Sequence, residues 1–411
     1  MVRRRSFADP SDRYSCVMST SLHDRARGLI ENAREQLIAL SHRLHAEPEL
    51  AFEEFCSSEL ISERLEAAGF SVARGVCELP TAFTALRGNG DLHVAICAEY
   101  DALPAVGHAC GHNIIAAAAV GAGLALGELA ADAGLTVSVI GTPAEEGGGG
   151  KVLMLERGVF AGVHAALMVH PGPIDQLQPP VLAAQSFDVR YEGREAHAAA
   201  YPQRGVNAAD AFVVAQVAIG LLRQHLRATD RVHGIVVKGG DAPNIVPALT
   251  TGRWMVRAET LDALNDVRDK AYRCFEAGAL ATGATVSIEA RPAYAHMEHD
   301  AELVEIYRRN AEALGRDLSE TGEGALRAFS TDMGNVSLAV PSIHPIIGIG
   351  SFPAVNHQPE FAAACAAPAA DQAILDGAIA MAWTALDAAS DAALRRRLLA
   401  TGARGAADIP A

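Results

Sequence analysis

The chain has 411 residues, half of them hydrophobic and a fifth charged, with a formal net charge of -15 at pH 7. That length exceeds one ordinary core and predicts two or three domains of a globular protein. The acidic balance disfavours nucleic acid and anionic membrane as partners, and leaves small anionic substrates to local charge.

Seven scattered cysteines, an odd number with no CxxC pair, argue against a disulfide framework and point to a reducing cytoplasm. The basic N-terminal stretch MVRRRSFADPSDRYSC lacks the apolar segment of a secretory signal, and Met18 offers an alternative start. Residues 1–20 and 396–411 are expected to be disordered tails. No apolar run is both long and clean enough to predict a membrane span. The richest, Ile114 to Ala131, contains Glu128 and reads as a buried helix.

In chain order, Leu29, Ile30, Leu37, Leu40 and Leu44 recur at helical spacing across residues 22–44, and a second helix is expected over 53–68, ending at Gly69. Short β segments follow at 83–87 and 93–98. An Ala-rich helix precedes the continuous apolar strand LTVSVIG (135–141), and a short helix opens at Val152. A further strand spans 165–169. Strands apolar on both faces fit an α/β layer with a central, mainly parallel sheet. From about residue 181 the order becomes strand (187–191), helix (207–226), strands (231–238 and 252–260), helix (263–282), strand (285–290). This βαββαβ order is that of a ferredoxin-like α+β module. The expected organisation is therefore a catalytic domain in two parts, 21–180 and 296–395, with an inserted domain at 181–295.

Four stretches carry residues suited to chemistry. The first is AEYDALPAVGHACGHN (98–113), where two histidines, a cysteine and two carboxylates sit among small residues. If extended, it turns Cys110 and His112 to one side, and a thiolate beside an imidazole begins a divalent transition-metal site. The second is GTPAEEGGGGK (141–151), whose adjacent carboxylates follow a buried strand. Neighbouring like charges there raise each other's pKa unless cations intervene. One carboxylate on metal and one as general base resolves that cost. The third and fourth are His170 in MVHPG and His357 in PAVNHQPEF.

Taken singly, each has a bland explanation: a loop histidine, a solvated acidic turn, a small buried cysteine. The glycine run is not a phosphate-binding P-loop, because no GK[ST] follows. Their joint occurrence at strand ends, where α/β sheets place their sites, favours one metal centre.

These pieces, together with LSHRLHAEPELAFEE, GREAHAAAYPQRGVNAADA, GGDAPNIVP and STDMGNVS, resemble metallopeptidase family 20, the aminoacylase/carboxypeptidase group, in its amidohydrolase subfamily. The match runs in family order from about His42 to Phe361. Asn113 and the form of GTPAEEGGGGK look closest to the branch holding aminobenzoyl-glutamate hydrolase B-subunits and aminoacylase-like dipeptidases.

The resemblance implies two divalent ions, zinc or manganese, with nickel and cobalt as further candidates. It makes Cys110 a bridging ligand, gives His112 and His170 to one ion, and Glu146 and His357 to the other. It makes Glu145 the general base for attack by metal-activated hydroxide, Asp101 a carboxylate orienting a ligand, and His197 an oxyanion stabiliser carried on a lid. Asn244 and Arg257 would hold a substrate carboxylate. The expected activity is hydrolysis of an N-acyl amino acid, an aminobenzoyl-glutamate-like amide or a dipeptide, with homodimerisation through the lid. The rivals are an aminopeptidase on the same scaffold, a non-catalytic partner subunit, and a thiol enzyme using Cys110 with His112.

Overall fold

The computed structural model describes residues 21–318, 324–325 and 328–401. The chain opens with α1 (Leu22–Asn32) and α2 (Arg34–Ala46). The helical run expected over 22–44 divides at Ala33, whose amide is shared between the carbonyls of Leu29 and Ile30. Next come α3 (Phe55–Ala67), β1 (Ser71–Arg74), β2 (Phe83–Gly88), β3 (Leu92–Ala98), α4 (His112–Ala133) and β4 (Leu135–Gly141). Then follow α5 (Gly150–Glu156), β5 (Ala165–Leu167) and β6 (His170–Gly172).

A six-stranded sheet has the order β1-β2-β4-β3-β5-β11, where β11 is Ser342–Ile343. The pairs β3·β4, β3·β5 and β5·β11 are parallel, while β1·β2 and β2·β4 are antiparallel. The centre of the sheet is thus parallel and buried on both faces, as its near-continuous apolar strands require.

Helix α4 is long and apolar enough to cross a membrane, with mean hydropathy 1.9 in its most apolar window. It is instead a core helix: all but a few of its residues from His112 to Ala130 are buried among β3, β4 and α11 (Pro368–Ser390). Its alanines allow close approach on every side. The sequence overlooked this length because Glu128 interrupts the run near its exposed end.

The second layer system begins with β7 (Ala183–Glu192), followed by α6 (Ala208–Leu222), β8 (Arg231–Lys238), β9 (Leu249–Ala258), α7 (Leu261–Thr282) and β10 (Thr285–Ala290). Its four strands pair antiparallel in the order β10-β7-β9-β8. One face packs Phe187, Val189, Tyr191, Trp254 and Val256 against α6 and α7 in a separate core. The opposite face turns partly toward the first sheet. Period-2 alternation along β7 and β9 sorts residues between these faces.

The chain returns through α8 (Ala301–Ala313), α9 (Met333–Ala339), β11 and β12 (Ile346–Gly348), then α10 (Pro359–Ala364), α11 and α12 (Ala392–Thr401). The C-terminal tail expected from residue 396 is corrected in part. Residues 396–401 continue α12, where Leu398 is fully buried and Arg397 pairs with Asp300 at 2.7 Å. The expectations for residues 1–20 and 402–411, including Met18 as a start, lie outside the described residues.

Candidate metal centre and active site

Cys110, His112, Glu146, His170 and His357 come from four separate stretches and meet at the ends of β3, β4 and β6. Their ligand atoms form two overlapping groups: Cys110, His112 and His170, and Cys110, Glu146 and His357, each with all donor atoms within 4.8 Å of one another. Cys110 belongs to both.

The local reason differs from the extended strand expected for 110–112. Gly111 is left-handed (φ 82°) and caps α4, so His112 is the first helical residue. A Cβ at Gly111 would also stand 2.4 Å from Pro171 Cγ, beside His170. Only glycine permits both the turn and that approach.

Asp101 fixes two of these residues. Its Oδ1 lies 3.0 Å from His112 Nδ1, and its Oδ2 accepts the Glu146 amide at 2.9 Å. His112 Nε2 is thereby turned toward Glu99, Glu145 and Glu146, at 3.4, 3.8 and 3.9 Å. His170 Nδ1 bonds the Pro171 carbonyl, which leaves Nε2 3.5 Å from Cys110 Sγ. Such bonds fix the ring nitrogen offered inward. His357 Nε2 lies 3.6 Å from Glu146 Oε1, and its amide is held by the Ala109 carbonyl. Ala144 (φ 58°) and His357 (φ 70°) both have left-handed backbones, a strain of about 1–3 kcal/mol each that concentrates at functional sites.

The centre holds more acid than base. Glu99, Asp101, Glu145 and Asp332 are all buried, and Lys151 is the cation buried with them. Its Nζ bonds Glu99 Oε1 and lies 2.7 Å from Asp332 Oδ1, and its amide donates to Asp332 Oδ2 at 2.8 Å. Burial, then the charges of Glu99, Glu146 and Asp332, push the Glu145 carboxyl well above the ordinary range, with His112 opposing. Burial also raises Glu146, against the pull of His112 and His357. His170 is lowered to about 4 by burial. Burial opposes protonation of His112, but Asp101 outweighs it and raises that group. His112 Nε2 and Glu146 Oε1 are buried without a hydrogen-bond partner among the described residues. Surplus carboxylate, orphaned inward donors and a soft thiolate together fit divalent cations.

Glu145 sits on a loop held at several points. Glu54 Oε1 accepts the Ala144 amide at 2.8 Å, and Thr81 donates to its other oxygen. Gly148 and Gly149 amides return to the Ala144 carbonyl, and Tyr294 Oη donates to the Glu145 carbonyl. Gly150 has no room for a side chain, since a Cβ there would sit 1.8 Å from the Pro143 carbonyl oxygen. Glu99, Glu54 and Tyr294 escaped the sequence reading. Glu99 and Glu54 lay inside quoted motifs, but nothing marked them as buried.

A cavity of about 340 Å³ opens over the centre, lined by Glu145, Glu146 and His357 on one side and Ala184, Met255, Arg257 and Tyr294 on the other. Arg257 is half-buried, bonds Ser330 Oγ at 2.9 Å, and has no carboxylate partner among the described residues. His197 and Asn244 do not join it. They touch each other on an exposed loop, through the Ala198 amide and Asn244 carbonyl, and His197 Nδ1 accepts the Ala200 amide at 3.1 Å. In this arrangement His197 caps its own turn.

Comparison with known proteins agrees with this geometry. The chain is 42% identical over 383 residues to an Xaa-Arg dipeptidase of Mus musculus, covering 89% of this chain and 88% of that protein. It is 34% identical over 278 residues to one of the two kinds of chain of the p-aminobenzoyl-glutamate hydrolase of Escherichia coli K12, covering 62% and 58%. A Bacillus subtilis structure described as a dinuclear metal binding peptidase shares the fold, with TM-score 0.65, 22% identity and 87% and 98% coverage. Residues 95–375 match Peptidase family M20/M25/M40. Chain-long identity to one relative and a match over most of the chain lead to one conclusion: the protein belongs to this family of metal-dependent peptidases and amidohydrolases.

Proposed function

We propose that the protein hydrolyses the amide bond of a small substrate whose leaving group is an amino acid with a free carboxylate, a dipeptide or an N-acyl amino acid. One observation carries this reading: the Arg257 guanidinium, half-buried and without an acidic partner among the described residues, faces the same cavity as Glu145. Desolvating a cation is costly unless an anion arrives, and a guanidinium fork matches a carboxylate. An aminopeptidase would need a carboxylate there instead, to receive a free amine. The mouse relative's name favours the dipeptide member of this substrate class, and aminobenzoyl-glutamate-like amides share its chemistry.

Cys110, His112 and His170 would hold one divalent ion and Cys110, Glu146 and His357 a second; bound, they supply polarisation of the amide carbonyl and acidify the attacking water. Glu145 takes the proton from that water and returns it to the amide nitrogen as the C–N bond breaks. The raised proton affinity of Glu145 suits the second transfer. Asp101 keeps His112 and the Glu146 loop in place throughout. His197 and Asn244 reach the reacting carbonyl only through movement of the inserted module or from a second copy. We propose that second copy pairs along β8, an unpaired sheet edge with exposed Ile235, Val236 and Val237 beside the α6 stripe of Val213, Val217 and Leu221.

A panel of dipeptides and N-acetyl amino acids, each with its C-terminal amide, tests the substrate class. Arg257→Ala should raise KM for the acids on the order of 10- to 100-fold, the equivalent of one charged hydrogen-bonded pair, with little change for the amides. An equal effect on both would refute the carboxylate clamp.

A further inference from the structure

We propose that Tyr294 is a positioning residue that couples the carboxylate-binding strand to the catalytic base. Tyr294 lies just beyond β10, where the chain passes back to the catalytic domain. Its amide and carbonyl both pair with Ala184, at 2.8 and 3.0 Å, which extends the sheet by one bridge. Ala184 is also the register partner of Arg257. Arg257, Ala184 and Tyr294 therefore stand side by side across three strands, roughly 10 Å from end to end. Directly paired residues project from one face of a sheet, and all three line the cavity. Ala184, the smallest, leaves a floor between two reaching side chains.

What Tyr294 reaches is the backbone of the base loop. Its Oη donates to the Glu145 carbonyl and accepts the Gly149 amide at 3.0 Å. The ring packs on Gly149, where a Cβ would stand 3.2 Å from Tyr294 Cε1 and 2.9 Å from Pro292 Cβ. One hydroxyl thus ties both ends of the Glu145–Gly149 turn to a residue of the inserted module's sheet. The junction itself is clamped: Asn335 bonds the Ala293 carbonyl and the Ala295 amide, at 3.0 and 2.9 Å. Tyr294 is held on both flanks while its backbone follows β7. A substrate carboxylate that draws Arg257 into place sets β7 through Ala184, and β7 sets the direction of Glu145 through Tyr294. A 1 Å error in aiming a base is worth on the order of 100-fold in rate.

This inference rests on the carboxylate reading above, and its test separates the two. Wild type, Arg257→Ala, Tyr294→Phe and the double variant are compared on the best acid of the panel and on its C-terminal amide. Tyr294→Phe should lower kcat for the acid roughly 10- to 100-fold with KM nearly unchanged, and the loss should shrink severalfold in the Arg257→Ala background. Equal losses in both backgrounds, or none, would overturn the coupling. Hydrogen exchange of the 144–149 amides, read by mass spectrometry without substrate, decides the anchoring independently. Faster exchange in Tyr294→Phe at unchanged melting temperature is expected, and unchanged exchange overturns it. If Arg257→Ala affects acid and amide alike, the carboxylate reading fails while the exchange result still judges Tyr294.

Discussion

Replacing Lys151 with methionine removes the cation beneath the site at nearly constant volume. Lys151, Glu99 and Asp332 have no solvent-exposed surface, so water cannot replace the lost bonds. Two charge-assisted hydrogen bonds from Nζ disappear, and two carboxylates are stranded below Glu145. Breaking a buried pair on one side costs about 3–5 kcal/mol, a large fraction of the roughly 5–15 kcal/mol available to a domain. Burial raises the Asp332 carboxyl even with Lys151 in place, so removing the lysine raises it further. Its folded pKa then exceeds the unfolded value, and the penalty grows as pH rises above the unfolded pKa. The assay is urea unfolding followed by circular dichroism, at pH 5 and pH 8, with chelator present for every variant. The expected loss is largest at pH 8, and Lys151→Met/Asp332→Asn should recover about half of it. A loss below about 1 kcal/mol, or no recovery in the double variant, would refute the view that this triad is a matched charge set.

Burial, then Asp101, pushes Glu54 up to about 7. Its contribution to stability is present below about pH 4.5 and lost as pH rises through about 7, a fall of up to about 3 kcal/mol. Glu54→Gln should flatten that slope in chelator, and an unchanged slope would remove Glu54 as its source. Glu145→Gln should retain its metal content by elemental analysis yet lose kcat on the order of 100- to 10,000-fold; lost metal would mark Glu145 as a ligand. Val236→Lys on the β8 edge should convert a sedimenting dimer to monomer. A wild-type monomer would contradict pairing there.

The fold was legible where pattern and burial coincide. LTVSVIG reads as a buried strand because both faces are apolar, and it is β4. The βαββαβ order of residues 183–290 followed from alternating periods of 2 and 3.6. The ligand-type residues were legible as residue types at strand ends, but their geometry was not. Gly111 turns the chain where an extended strand was expected, because a helix begins one residue later. Glu54, Glu99 and Tyr294 act through contacts far apart in sequence, 45 residues for the Glu146–Asp101 bond and 149 for the Tyr294–Glu145 bond. No local periodicity encodes such contacts. Helix α12 was missed beyond residue 395 because its single buried leucines, Leu394 and Leu398, are too few to mark a face among arginines.

The central claim is that two overlapping donor groups sharing Cys110 hold the metal needed for amide hydrolysis. The most direct measurement removes metal with chelator, verifies its loss by elemental analysis, and follows hydrolysis of the best panel substrate as Mn²⁺ or Zn²⁺ is returned. The account predicts activity abolished with the metal and restored as occupancy approaches two ions per chain, with Cys110→Ala unable to recover. Full hydrolysis by metal-free protein, blocked only by thiol alkylation, would contradict it.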